Sequence, residues 1–217
     1  MEKDHIYFVP GLAASSSIFE YIQVPSEKFE IHYLDWLVPE SKNETVEHYA
    51  KRMCANIEHK DPILVGVSFG GVMVQEMSKQ LTVKKTIIIS SIKSTQELPK
   101  RLRLIKKTKA YKLLPVKAIT NIENFSKMAF GKTVKKRVDL YQKYLSMRDK
   151  DYLPWAVHTI LHWKQDEPLP EVVHIHGNKD EVFPIKNVTN CKVIEGGTHI
   201  MILNKAKHIS NLLQEVI

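Results

Sequence analysis

Six short apolar runs, separated by segments of helical periodicity, constrain this chain more than any other feature. They fall at residues 5–10, 29–36, 63–68, 86–91, 172–177 and 191–195 and are rich in Val and Ile, as in strands covered on both faces of a parallel sheet. Between them, residues 16–23, 45–59, 69–80 and 204–216 keep helix-like spacing. Val46, Tyr49, Ala50 and Met53 mark one stripe; Ile209, Leu212, Leu213 and Val216 mark another, with Asn204 placed as N-cap. Alternation of this kind, with right-handed crossovers, predicts a doubly wound, mostly parallel α/β sheet of about six strands. A Rossmann- or flavodoxin-like sheet is the plainer version of the same pattern. A length of 217 residues suits one domain with one core.

The alternation is interrupted once, over residues 94–165, where the pattern is helical. Leu98, Leu102 and Ile105 form one stripe, and Val134, Val138, Tyr141 and Leu145 form another. A third helix over 152–163 has Pro154 near its start, where proline is tolerated. The expected division is a core of residues 1–93 and 166–217 with a helical cap, or lid, of residues 94–165. This insert carries 17 Lys and Arg against 5 Asp and Glu, more than the whole chain's excess of +8, so the remainder is net acidic. So uneven a distribution argues against nucleic acid as partner. It leaves an anionic small molecule, a membrane surface or simple solvation as readings of Lys100, Arg101, Arg103, Lys106, Lys107, Lys109 and Lys112. No apolar run approaches the ~20 residues of a membrane span. The first residues lack the pattern of a secretory signal, and Cys54 and Cys191 have neither disulfide-framework nor metal-ligand spacing, so the expected location is cytoplasmic.

Chemistry concentrates at Gly66-Val67-Ser68-Phe69-Gly70, between an apolar strand and a helix. A serine there must occupy a tight turn, with small residues on either side admitting neighbouring backbone and the following helix N-terminus aimed at the hydroxyl. A hydroxyl needs a base to become a nucleophile. Of ten histidines, His199 stands in Glu195-Gly196-Gly197-Thr198-His199, a glycine-rich loop just past the last strand. His174 and His176 alternate with apolar residues inside a strand and read as structural. His158 and His162 lack the glutamate of a zinc-protease helix, and His5, His32, His48, His59 and His208 have no special setting. The acid that orients the base is expected at Asp180, just past the penultimate strand, with Glu181 adjacent to it. The order Ser68, Asp180, His199 suits a triad on this kind of sheet. Val9-Pro10-Gly11-Leu12 follows the first strand, where the Leu12 amide can join that of Phe69 as an oxyanion hole.

Together these segments resemble the α/β-hydrolase superfamily across nearly the whole chain: the G-x-S-x-G elbow, then H-G-x-x-D-x-x-x-P at 176–184, then G-G-x-H at 196–199. The resemblance implies Ser68, Asp180 and His199 as catalytic triad, Leu12 and Phe69 as oxyanion-hole amides, and the insert as the family's variable cap. Two departures stand out. Pro10-Gly11 replaces the frequent His-Gly, and the chain starts at the family's third strand, which predicts a minimal sheet of six parallel strands.

The activity implied is hydrolysis of a small-molecule ester or thioester, with an anionic substrate as one option, through an acyl-enzyme and with no cofactor or metal. Trp155, Ile160 and Trp163 are candidates for an acyl pocket; packing of the cap onto the body is the alternative. A hydrolase-fold receptor with a vestigial triad, and a C–C bond hydrolase or peptidase, remain open. A dehalogenase would need a carboxylate at position 68.

Overall fold

The computed structural model describes residues 3–108 and 143–217. The Val134, Val138 and Tyr141 stripe, Lys109 and Lys112 lie outside the described residues. Six strands, β1 (Asp4–Val9), β2 (Phe29–Tyr33), β3 (Ile63–Val67), β4 (Lys85–Ile89), β5 (Val173–Gly177) and β6 (Lys192–Ile194), form one sheet in the order β2-β1-β3-β4-β5-β6. Every neighbouring pair is parallel. The expected sheet of six parallel strands is the one observed. β3 is buried along its whole length, and β4 and β5 from their second residues. Continuous apolar runs rather than alternation are therefore what the sequence needs here.

From β1 the chain steps outward to β2, then returns to the other side of β1 and proceeds through β3 to β6. The order thus reverses between β1 and β3. Loops leaving adjacent strands in opposite directions open a crevice there, at the carboxyl ends of the strands.

Helices α1 (Val46–Cys54) and α2 (Phe69–Ser78) connect the first half. The Thr45 hydroxyl caps α1 by accepting the His48 N–H at 3.2 Å. Helix α2 is buried from Phe69 to Met77, as befits a helix apolar on most of its circumference. Its Glu76 is 2% exposed and is held by Lys79 Nζ at 2.5 Å and the Trp163 indole N–H at 2.6 Å.

Within residues 94–165, the described elements are a 3-10 turn (Thr95–Glu97), α3 (Lys100–Thr108) and α4 (Tyr152–His162). The α4 region is fastened to the body by its aromatic residues. Trp155 stacks on Tyr49 of α1 with centroids 4.2 Å apart and donates its indole N–H to the Glu44 carbonyl at 2.8 Å. The chain then closes with α5 (Met201–Asn204) and α6 (Ala206–Val216).

Two local expectations are corrected. Residues 16–23 form only a 3-10 turn over Ser16–Phe19, because Pro25 forbids helix continuation just beyond and disfavours helical backbone at Val24. Asn204 is the last residue of α5 rather than an N-cap. Buried Met201 and Ile202 pull the chain into a helical turn directly after His199, and the break falls at Lys205, with φ −124° and ψ 20°.

Replacing Trp163 by Phe removes the indole donor from buried Glu76 and leaves Lys79 alone to hold it. We expect Trp163→Phe to lower unfolding free energy by about 1–3 kcal/mol, measured by urea denaturation; an unchanged midpoint would dismiss this anchor.

Candidate active site

Strand β3 ends at Val67, and Ser68 follows with φ 53° and ψ −115°. A non-glycine residue at positive φ stores about 1–3 kcal/mol of strain unless its surroundings impose it. Here they do. A Cβ on Gly66 would fall 2.2 Å from the Gly70 carbonyl oxygen, and one on Gly70 would fall 2.3 Å from that of Val9. The turn is compressed between its own helix and the end of β1. The Ser91 hydroxyl adds a further restraint by donating to the Ser68 carbonyl at 2.7 Å.

The loop after β1 lies against this turn, with a Cβ on Gly11 falling 3.7 Å from Ser68 Cβ. The Trp36 indole donates to the Gly11 carbonyl at 3.0 Å, and its ring stacks on Phe69 at 5.1 Å. Phe69 is the first residue of α2, whose leading amides have no partner within the helix. Leu12, in the loop after β1, and Phe69, the first residue of α2, thus both follow strands that flank the crevice. Residues just before α4 reach the same region: Ser15 N–H donates to the Tyr144 carbonyl at 2.9 Å and Met147 N–H to that of Ala13 at 3.0 Å.

On the other side, the loops after β5 and β6 touch backbone to backbone. A Cβ on Gly177 would fall 2.2 Å from the Gly197 carbonyl oxygen, so side chains are excluded and the loops close on each other. Across this contact His199 Nδ1 donates to Asp180 Oδ2 at 2.9 Å, and His199 Nε2 lies 2.9 Å from Ser68 Oγ. Asp180 is 4% and His199 8% exposed, while Ser68 is only partly buried. The second carboxylate oxygen of Asp180 accepts the Val182 and Phe183 amides at 2.8 and 2.9 Å. Glu181, the neighbour weighed for the same role, is exposed. Burial pushes the Asp180 carboxyl toward the neutral form, but His199, His176 and the Phe183 amide outweigh it and hold the group below its usual range. With a carboxylate on Nδ1, the proton sits on that nitrogen and Nε2 faces Ser68 as acceptor.

Two features were not singled out from sequence. Arg101 of α3 donates to the carbonyls of Glu181 and Val182 at 2.6 and 3.2 Å, tying part of the basic segment to the loop that bears Asp180. Behind the same loop, His176 donates its Nε2–H to the Phe183 carbonyl at 2.8 Å, with Asp180 Oδ2 3.6 Å away. A carbonyl can only accept, so neutral His176 carries its proton on Nε2, and His174 Nε2 donates to His176 Nδ1 at 3.1 Å. His174 and His176, read from their alternation with apolar residues as structural, are both buried in β5; that His176 lies behind Asp180 is not visible in that alternation.

Of the residues considered for an acyl pocket, Trp155 is buried and makes an edge-to-face pair with Phe69, centroids 6.1 Å apart. Ile160 is half-buried and packs on the core. Trp163 is 1% exposed and donates its indole N–H to Glu76 of α2. A cleft of about 310 Å³ between α3 and α4, lined by Leu98, Leu102, Arg103, Lys106 and Leu161 among others, holds two of the cations but none of Ser68, Asp180 and His199.

Among solved structures, an epoxide hydrolase from Bacillus megaterium superposes with a TM-score of 0.74 at 17% identity, over 99% of this chain and 93% of that one. A lipase-esterase related protein from Clostridium acetobutylicum gives 0.69 at 21% identity, over 99% and 94%. A thermophilic esterase from Thermogutta terrifontis gives 0.71 at 10% identity, over 98% and 88%. The chain has the α/β-hydrolase fold. No protein-family model and no curated protein sequence matches it. Among the described residues, no helix is long and apolar enough to cross a membrane.

Burial holds His176 below the ordinary histidine range, and burial together with His176 holds His174 well below it. Both are neutral when folded, whereas the unfolded chain protonates them near pH 6.5. Their contribution is therefore full above that pH and is lost as pH falls below it. We expect urea stability to decline from pH 7 to pH 5, by up to about 1.4 kcal/mol per pH unit per histidine. His174→Gln should flatten the decline; a stability unchanged over that range would contradict the neutral pair.

Proposed function

We propose that this protein is a serine hydrolase that cleaves a small-molecule carboxylic ester or thioester through an acyl-enzyme. The observation that carries the reading is the continuous hydrogen-bonded chain Asp180–His199–Ser68, set beside the reversal point of the sheet. In the first half-reaction Ser68 Oγ bonds to the carbonyl carbon while its proton passes to His199 Nε2. Charge that builds on the carbonyl oxygen is met by the Leu12 and Phe69 amides. The carbon–oxygen or carbon–sulfur bond then breaks, and His199 returns the proton to the departing alkoxide or thiolate. In the second half-reaction water gives a proton to the same nitrogen and attacks the acyl carbon. Collapse restores Ser68 and frees the acid. Asp180 keeps its charge throughout, orienting the imidazole and stabilising its protonated form. No cofactor or metal enters these steps.

Residues 94–165 act in this reading as the cap over the crevice, with Trp155 beside Phe69 bordering the acyl side. The cations of α3 favour an anionic substrate, an effect that salt would weaken because exposed charges are screened over ~8–10 Å. A cytoplasmic location belongs to the same proposal.

With p-nitrophenyl acetate as substrate, Ser68→Ala and His199→Ala should each reduce kcat by about 10⁴–10⁶-fold, and the double variant hardly further, since the groups act as one unit. Asp180→Asn should cost about 10²–10⁴-fold by releasing the imidazole tautomer. A Ser68→Ala variant that turns over the ester like the parent would end this reading.

A further inference from the structure

At the opposite end of the sheet from Ser68, three chain segments bring imidazoles together. Alternation along β1 puts His5 and Tyr7 on one face, and the parallel register sets Glu30 of β2 beside His5 and His32 beside Tyr7. The connection from α1 to β3, residues 55–62, then lays His59 over them. Its ring is stacked on His5 with centroids 3.4 Å apart and lies 4.8 Å from that of His32. His5 Nδ1 is 3.0 Å from His32 Nε2, and Glu30 Oε1 is 3.9 Å from that same nitrogen. One ring nitrogen from each histidine can be chosen so that all lie within 4.8 Å of one another. All three side chains are half-buried, so solvent reaches them.

Two nitrogens bound to one tetrahedral ion at about 2.0–2.1 Å lie about 3.3 Å apart. The His5–His32 pair is already within a few tenths of an ångström of that spacing. Tyr7 supplies the supporting contact: its hydroxyl is 2.6 Å from His59 Nδ1 and accepts the Glu58 N–H at 3.3 Å. A ring held through one nitrogen by an outer partner presents the other to an ion, and such partners fix ligand orientation in metal sites. An ion lies in the plane of each imidazole that binds it, so His59 must tilt out of its stack on His5. It is carried by a short connection outside helix and strand, where such a rotation is least opposed.

We propose that His5, His32 and His59 bind a divalent transition-metal ion, leaving the fourth position to solvent or to a carboxylate beside the cluster such as Glu30, 3.9 Å from His32 Nε2. Imidazole donors suit zinc, copper, nickel or cobalt rather than calcium or magnesium. The ion would bridge β1, edge strand β2 and the α1–β3 connection, which makes it a structural clamp remote from Ser68 and independent of the hydrolase reading.

The test uses the whole chain, stripped with chelator, titrated with Zn²⁺ by calorimetry and melted at several Zn²⁺ concentrations. We expect one saturable equivalent and a melting temperature that rises with free Zn²⁺, as for any ligand of the folded state. His32→Gln and His59→Gln, each checked for folding by circular dichroism, should weaken Zn²⁺ binding about tenfold or more. Absence of saturable binding to the parent protein would overturn the proposal. So would binding that both variants retain in full, which would move the ion elsewhere, for instance to Glu40, Glu44 and His48.

Discussion

For a carboxylate after β5 to hold an imidazole after β6, two loops leaving adjacent strands must meet without side chains between them. Gly177 against Gly197 is that meeting: a single methyl on Gly177 would stand 2.2 Å from the opposing carbonyl oxygen. The 2.9 Å bond from His199 to Asp180 depends on it. So does the buried arrangement behind, where Val182, Phe183 and His176 surround the carboxylate. Desolvation works against ionising Asp180, but the electrostatic attraction and hydrogen bond of His199, with smaller contributions from His176 and the Phe183 amide, outweigh it.

The serine side of the site obeys a different constraint. Its backbone is held at positive φ by neighbours that leave no room for relaxation: Gly66 and Gly70 in its own turn, the end of β1 above, and Ser91 on its carbonyl. Strain held this way lifts the hydroxyl above the sheet edge instead of folding it into the strand. The parallel order, reversing between β1 and β3, decides which loops flank it.

Much of this was legible in the residues. Runs such as Ile63–Val67 suit strands buried on both faces of a parallel sheet, and their alternation with helical segments agrees with that reading. Short glycine-framed segments carry Ser68, Asp180 and His199, and such segments keep their signature because the backbone contact itself demands glycine. Less visible were features that depend on distant partners. The region 16–23 shows apolar spacing that Pro25 overrides. Asn204 suits an N-cap by type, yet buried Met201 and Ile202 start the turn earlier. Nothing local to Trp163 discloses that its indole meets Glu76, 87 positions away in sequence. His5, His32 and His59 have unremarkable neighbours in sequence, and only the register of β1 with β2 assembles them.

A fluorophosphonate probe followed by intact-protein and peptide mass spectrometry tests the central claim most directly, since it reacts only with a serine whose proton is being taken by a base. One adduct per chain, located on Ser68 and abolished in His199→Ala, is the result the account predicts. A protein that stays unlabelled, or is labelled equally well without His199, would show that the hydrogen-bonded chain through Asp180 does not activate the hydroxyl.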